Sequence, residues 1–464
     1  MGRRGQSQPR WLSSGPGWSS GPGWLTSTGA AGLALALLIG SGLAPAAAAN
    51  PIPPAGPVLG PTTVVGSKAP APSPAGIQKA TARVLASGAL GAFSALVVDP
   101  ATDQVLLEVN GDKPRVPAST IKLLTAAAAL EVLGPRTRLA TKVMRDGNTI
   151  TLIGGGDTSL VRAHGGDPLA GGAASLRALA DLTAAALPDQ PVQLVYDDSL
   201  FTGPVTGPGW PRNAARLGIA APVSALMVGE GRVRPGALSR VADPAKQAAD
   251  AFAGYLEKSG VQVTKTTAGK ATAGAAEIAR VESPPVADLV EELLTESNND
   301  MGESLAHLVG GATGAGASFS GGARAVTASL KALGLPTTGL VVADGSGLSS
   351  SDRVSVETYG ALLAAVARNT NPDLSAIGSG LPVAGATGTL ANRFLSGPTK
   401  RGAGYVHAKT GSLTGVIGLT GTVKDADGRV LVFSILANDV KSLDAARDSV
   451  DLFATKLAKC GCSR

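Results

Sequence analysis

Val116-Pro117-Ala118-Ser119-Thr120-Ile121-Lys122-Leu123-Leu124 is the stretch that decides how the rest of this chain is read. Pro117 suits the turn just before a helix, and Ser119 is a favoured helix N-terminal residue. Lys122 to Leu133 follows, rich in the strong helix formers Leu and Ala, with no breaker before Gly134. A serine and a lysine three residues apart on a first turn share one face. Unpaired backbone N–H groups and the helix dipole there favour a developing negative charge. A neutral lysine amine beside the serine can take the hydroxyl proton, as activation of a weak nucleophile requires. Alone, such a pair more often means a helix cap and a solvated lysine, so the remaining residues have to decide.

Upstream, Arg3, Arg4 and Arg10 are followed by no charge until Lys68, and an apolar run from Ala30 to Leu43 lies in that gap. A membrane-spanning helix needs about 20 apolar residues, and this run is shorter. With Ala47-Ala48-Ala49 behind it, the pattern predicts a secretory signal peptide over 1–49, cleaved before Asn50, and an exported, extracytoplasmic protein. A membrane association is expected only if the leader is retained as an anchor. The twice-written Ser-Ser-Gly-Pro-Gly-Trp (Ser13–Trp18, Ser19–Trp24) reads as low-complexity leader. Residues 50–76 read as a Pro- and Gly-rich linker.

The folded part is then expected from Ile77 onward. Hydrophobic residues make up 44% of the 464 but aromatics only 3%, so its core must be built from Ala, Val, Leu and Ile. The formal charge of +6 includes the three leader arginines, which leaves too little to argue for nucleic acid. His164, His307 and His407 lack metal-ligand spacing and read as structural, and no cofactor is expected. Cys460 and Cys462 stand one residue apart, where a bridge is strained, so another partner is as good an expectation.

Gln78–Ala86 predicts a short helix, and Phe93–Asp99 with Val105–Glu108 predict paired strands. A helix coming straight off such a hairpin suggests an α/β sheet covered by helices. From Leu139 the texture changes. Thr141–Met144 and Thr149–Ile153 flank a hairpin signal, Arg145-Asp146-Gly147-Asn148. Gly154-Gly155-Gly156-Asp157 lacks the Lys-Ser/Thr of a phosphate loop and reads as a plain turn. A helix over Ala245–Lys258 follows, and the division is 77–138 and 277–464 for one domain, with 139–276 inserted. Loss of the insert is expected to harm stability or substrate choice more than chemistry.

Two more polar clusters stand in the second part. Val286, Leu289, Val290, Leu293 and Leu294 recur at helical spacing and run into Thr295-Glu296-Ser297-Asn298-Asn299, after which Met301, Leu305, Leu308 and Val309 begin another helix. Ser297 and Asn299 thus fall in a tight connection able to face a cleft, though an N-cap is the ordinary reading. His407-Ala408-Lys409-Thr410-Gly411-Ser412 opens a strand, Val416–Val423, that returns as Arg429–Ala437. Gly411 lets a backbone or substrate lie close, and Lys409 with Thr410 can hold a carboxylate. Lys258-Ser259-Gly260 looks similar but ends a helix where glycine is the usual cap.

Ser119-x-x-Lys122, Ser297-x-Asn299 and Lys409-Thr410-Gly411 form the ordered set of penicillin-binding proteins and serine β-lactamases. With a large insertion between the first and second motifs, the chain resembles the class C low-molecular-mass penicillin-binding proteins, the D-alanyl-D-alanine carboxypeptidase/endopeptidase family. Gly154–Asp157, Asp197-Asp198-Ser199-Leu200-Phe201, Pro222-Val223-Ser224-Ala225-Leu226 and Asp344-Gly345-Ser346-Gly347-Leu348-Ser349 extend the likeness over Ile77 to Asp439. Asn298 stands where many relatives carry an acid.

The resemblance implies a β-lactamase/transpeptidase-like α/β (α+β) fold and peptidoglycan stem peptides as substrates, with β-lactams as inhibitors. It makes Ser119 the nucleophile, Lys122 its base and Ser297 the proton relay. Asn299 is given the substrate amide, and Lys409, Thr410 and Gly411 the terminal carboxylate. The N–H groups of Ser119 and Ser412 would form the oxyanion hole. A serine β-lactamase, an esterase or D-aminopeptidase, and a non-catalytic wall-binding homologue remain alternatives at this point.

Overall fold

The computed structural model describes residues 69–163 and 174–462. The signal peptide, most of the linker and His164 fall outside them. In chain order the helices are α1 (Pro74–Leu85), α2 (Lys122–Leu133), α3 (Leu176–Ala186), α4 (Ala214–Leu217), α5 (Pro244–Lys258), α6 (Val286–Thr295), α7 (Asn299–Ala312), α8 (Phe319–Ala332), α9 (Val356–Arg368), α10 (Ser375–Ser379) and α11 (Leu443–Ala458). The strands are β1 (Ala92–Asp99), β2 (Gln104–Val109), β3 (Arg138–Asp146), β4 (Thr149–Ile153), β5 (Val192–Asp197), β6 (Val263–Ala268), β7 (Ala276–Pro285), β8 (Val406–Leu413), β9 (Val416–Lys424) and β10 (Val430–Asn438).

Two five-stranded sheets organise these elements. The first, in the order β2-β1-β10-β9-β8, is antiparallel throughout. Its strand β10 is apolar up to Ala437 except for Ser434, because both faces are covered. Val430, Val432 and Leu436 point to one side, against α2, α6 and α9. Leu431, Phe433, Ile435 and Ala437 point to the other, against α1 and α11. Helix α11 buries Ala446, Val450, Phe453, Ala454 and Leu457, the stripe expected of a helix lying on a sheet. Helix α2 has no polar face along most of its length: Lys122 through Leu130 are all buried. An Ala- and Leu-rich helix of that kind belongs in the centre of a core, and α6, α7 and α8 surround it.

The second sheet, β6-β5-β4-β3-β7, enters the chain between α2 and α6. β3 pairs antiparallel with β4 and β7, whereas β4, β5 and β6 run parallel. Parallel neighbours need a crossover, which α3 and α5 provide while covering the sheet with Leu176, Leu179, Ala248, Phe252 and Leu256.

Two expectations need correction, and one left open is resolved. The segment around Lys409 does not merely open the next strand: it is a strand of its own, β8, at the sheet edge, joined to β9 by a tight turn at Gly415 (φ +74°). The stretch between α5 and β7, given no strand above, contains β6, whose Thr and Val residues favour extended backbone. Cys460 and Cys462 pair with each other, at a Cα separation of 5.0 Å. Their segment closes the domain, since the Cys462 carbonyl accepts from the Ser73 amide (2.8 Å) at the start of α1. Among the described residues no helix is long and apolar enough to cross a membrane.

Candidate active site

Ser119 sits in a short 3-10 turn, Ala118–Ile121, that feeds directly into α2 at Lys122. It does not cap the helix, as its position had suggested; the turn itself is strained. Ala118 holds φ +49°, a left-handed conformation that costs an L-residue of order 1–3 kcal/mol and needs outside support. Support comes from all sides. Asn438, at the end of β10, pairs with both backbone groups of Val116 (2.9 and 3.1 Å). The Thr120 hydroxyl donates to the Pro117 carbonyl (2.8 Å) and meets the buried Tyr359 hydroxyl (2.9 Å). A Cβ on Gly347 would fall 2.0 Å from the Ala118 oxygen, and one on Gly411 would fall 2.5 Å from the Pro117 oxygen. Glycine at 411 therefore serves the approach of the Ser119 turn to β8.

Lys122 is fully buried, and its amine meets three oxygens: Ser119 Oγ at 3.1 Å, Asn299 Oδ1 at 2.7 Å and the Ser346 carbonyl at 2.6 Å. Burial pulls its pKa down from the usual lysine value to about 8, although Asp344, Glu303, Asp300 and Asp352 favour the charged form. Removal from water is the leading cause.

Asn299 opens α7 and uses both ends of its carboxamide. Oδ1 accepts from Lys122, and Nδ2 donates to the Ile219 carbonyl at 2.7 Å. The residue expected to hold a substrate amide thus also holds the lysine. Ser297 lies half-buried in the turn before it, with φ +58°. Among the described residues no hydrogen bond ties its hydroxyl to Ser119 or Lys122. Between them, Asn298 caps α7 by accepting from the Met301 amide (3.1 Å) and donates to Glu230 Oε1 (2.9 Å) and toward Glu292 Oε1 (3.5 Å). An aspartate would cap as well but could not donate, which accounts for an amide here.

Lys409, on β8, is also fully buried; its amine donates to the Thr410 carbonyl at 3.1 Å. Burial first, and the Lys122 charge second, hold its pKa well below the usual lysine value. Thr410 Oγ1 donates to Thr389 Oγ1 (2.9 Å). On the outer side of β8, the Ala408 amide binds the Pro382 carbonyl and the Val406 carbonyl binds the Ala384 amide. Backbone groups alternate sides along a strand, so the Ser412 N–H faces that same outer edge. Lys258 is far from this chemistry in kind: it ends α5 with its amine 5.8 Å from the Tyr255 ring centre. His307 packs between Phe201 and Phe319 at 5.0 and 4.7 Å, and His407 lies half-buried on β8. Among the described residues no group of three His, Cys, Asp or Glu is arranged to hold a metal ion.

Several residues that complete the site were not singled out from sequence. Asp344 receives the Gly347 and Ser349 amides (both 2.7 Å) and the Trp210 indole N–H (2.8 Å). Buried Asp300 pairs with Arg240 (3.0 Å) and accepts the Ala221 amide (2.6 Å). Trp210, Ile219, Ala221, Glu230 and Arg240 all come from the stretch between β5 and α5. The insert therefore reaches the site with groups that hold other side chains in place. The only signal available was the Asp344–Ser349 run, noticed for its resemblance rather than for a physical role.

The chain as a whole is similar to known proteins. The family model described as the D-Ala-D-Ala carboxypeptidase 3 (S13) family matches residues 77–239 and 234–457. A carboxypeptidase of Mycobacterium tuberculosis is 36% identical over 408 residues, covering 86% of this chain and 87% of that one. A D-alanyl-D-alanine carboxypeptidase of an Actinomadura strain is 28% identical over 457 residues, covering 80% and 82%. The crystal structure of penicillin-binding protein 4 from Haemophilus influenzae superposes with a TM-score of 0.67 at 22% identity, covering 82% of this chain and 99% of that one, a likeness of fold.

Proposed function

This chain belongs to the D-Ala-D-Ala carboxypeptidase 3 (S13) family, and on that footing we propose that it is a serine D-Ala-D-Ala carboxypeptidase acting on peptidoglycan stem peptides. One observation carries the serine mechanism: residues of the first and second motifs, 177 positions apart, meet on the Lys122 nitrogen. A neutral amine has two N–H bonds and one lone pair. Asn299 Oδ1 and the Ser346 carbonyl can only accept, so they take the two N–H bonds. The lone pair is left for the Ser119 hydroxyl, at 3.1 Å. That is the arrangement a general base needs.

The reaction then runs as follows. Ser119 Oγ bonds to the carbonyl carbon between the two terminal D-alanines while its proton passes to Lys122. The oxyanion rests on the N–H groups of Ser119 and Ser412; loss of one such donor typically costs about 100- to 1,000-fold in rate. The C–N bond breaks, and the amine of the departing D-alanine takes a proton delivered through Ser297. Water adds to the ester carbonyl carbon as Lys122 takes its proton, and the bond to Ser119 Oγ then breaks as Lys122 returns that proton to the serine. Lys409 and Thr410 receive the terminal carboxylate, and a carboxylate there restores the ammonium form that burial disfavours. On this reading the three motifs belong to the domain built around the first sheet, and the second sheet, β3 to β7, is its insert, which carries the expected boundary at 276 on to the end of β7 at Pro285. Such a substrate lies outside the cytoplasm, in keeping with the predicted export signal.

Benzylpenicillin is the test. Its ring-opened leaving group stays tethered, so the acyl-enzyme should persist and add the inhibitor's mass to Ser119, with no adduct on Ser119→Ala. An adduct lost within seconds would mean a β-lactamase instead. A folded protein with no adduct would leave an esterase or a wall-binding homologue. Release of D-alanine from a pentapeptide completes the assignment.

A further inference from the structure

The Ser346 carbonyl is the shortest contact of the Lys122 amine, at 2.6 Å, and a backbone oxygen can direct a base only if its own peptide units are fixed. Ser346 lies in the loop Asp344–Ser349, which has no helix or strand to hold it. The peptide that carries this oxygen is tied by its Gly347 N–H to Asp344 (2.7 Å), and the two peptides before it are anchored by Glu303, one turn into α7 and fully buried. Glu303 Oε2 accepts the Gly345 amide at 3.0 Å and Oε1 accepts the Ser346 amide at 2.8 Å. The carboxylate therefore grips both peptide groups flanking Gly345. The Thr125 hydroxyl of α2 closes the frame by donating to the Gly345 carbonyl at 2.7 Å. Close packing leaves the loop no other seat: a Cβ on Gly345 would fall 2.3 Å from the Gly302 oxygen.

We propose that Glu303 is a positioning residue for the reaction, aiming the Ser346 carbonyl at Lys122 and setting with its charge the proton occupancy of that amine. The inference rests on the reading of Lys122 as the base of Ser119. Glu303 touches neither substrate nor reacting atoms; it acts through two peptide groups and through its field. α7 thus serves Lys122 twice, directly by Asn299 and indirectly by Glu303 one turn on.

The charged groups around the amine are Asp344, Glu303, Asp300 and Asp352, which favour the ammonium, and Lys409, whose own amine is pushed down by the Lys122 charge. Around Glu303 are Asp344 and Lys122, with His307 bonded to its backbone carbonyl. Burial and the Asp344 charge push the Glu303 carboxyl up, but both of its oxygens accept backbone N–H groups and Lys122 lies beside it, and that geometry suits the ionised carboxylate. The sign follows. Removing a negative charge beside Lys122 disfavours the ammonium, so the neutral base should persist to lower pH.

The experiment follows the pH profile of benzylpenicillin acylation, read by intact mass, for wild type, Glu303→Gln and Thr125→Val. For the wild type the rate should climb through about pH 8 as Lys122 loses its proton. Glu303→Gln can accept only one of the two amides, so its limiting rate should fall about tenfold or more while the acid limb moves about one unit lower. Thr125→Val loosens the same loop without changing charge; its rate should fall with the limb in place. A Glu303→Gln limb that coincides with the wild type overturns the inference, whatever the rate. Should that variant not fold, Asp344→Asn removes the larger of the negative charges acting on Lys122, so an unmoved limb there overturns it equally. A wild type that forms no adduct would sink the serine mechanism itself, a distinguishable outcome.

Discussion

The antiparallel sheet and the mixed sheet serve the site by different chemical means. The first is covered on both faces, and its edge strand β8 aims named side chains, Lys409 and Thr410, beside the Ser119 turn. The second is half-buried along β3 and exposed along β6, and it carries none of the three motifs. Its connection between β5 and α5 instead offers a carbonyl at Ile219, an amide at Ala221, the Trp210 indole and the Arg240 guanidinium. One region provides reacting groups and the other holds those groups still. A substitution in the first should therefore be felt in rate, and one in the second in stability.

Lys122→Ala should show the largest loss of rate. General-base assistance is worth about 100- to 10,000-fold, and acylation by benzylpenicillin should fall by that order. Its counterpart is Arg240→Ala. Arg240 is buried against Asp300 and Glu230, and removing one partner of a buried pair typically costs about 3–5 kcal/mol. Urea unfolding should register that loss, with the surviving folded fraction still able to acylate. If Arg240→Ala spared stability and abolished acylation, the division of labour between the regions would be broken.

A finer comparison sets the two similar Lys-Thr/Ser-Gly stretches against each other. A charge-assisted contact is worth about 1.5–3 kcal/mol. Lys409→Ala should thus weaken acylation at least about tenfold, while Lys258→Ala, at the end of α5, should leave it unchanged. Equal effects would undo the assignment of the carboxylate clamp to β8.

The smallest effect concerns pH, where the regions touch. Burial, and then the Glu230 charge, raise the Glu292 carboxyl from 4.5 to about 7. Between these values the folded protein holds a proton that the unfolded chain has released, so stability declines as pH rises through that window. Glu292→Gln should remove this decline, raising Tm by a degree or so at pH 7.5 and hardly at pH 4.5, on the order expected for about 1 kcal/mol or less in a chain of this size. An unchanged difference in Tm between the two pH values would mean that Glu292 titrates normally.

Much of this was legible in the residues themselves. Helix α2 was read with its observed ends, because Leu and Ala run unbroken to Gly134. The β9–β10 hairpin was legible from its turn, and the family from three short motifs in order. Each of these depends on neighbours within a few residues, where spacing alone fixes geometry. Sequence could therefore put Ser119 and Lys122 on one face, and mark Ser297, Asn299 and Lys409 as polar groups wanting a cleft.

What it could not give are the partners that depend on distant backbone. The oxygens of Ser346 and Ile219 and the amides of Gly345 and Ala221 are the same atoms in every residue, so no side-chain pattern announces them. Only the packing of α7 against the Asp344–Ser349 loop and the β5–α5 connection brings them to Asn299, Asp300, Glu303 and Lys122. Tertiary structure likewise decided why the Lys122 ammonium gives up its proton readily enough for the neutral amine to serve as a base. A lysine is charged wherever water reaches it, and its exclusion from water is a property of the whole core.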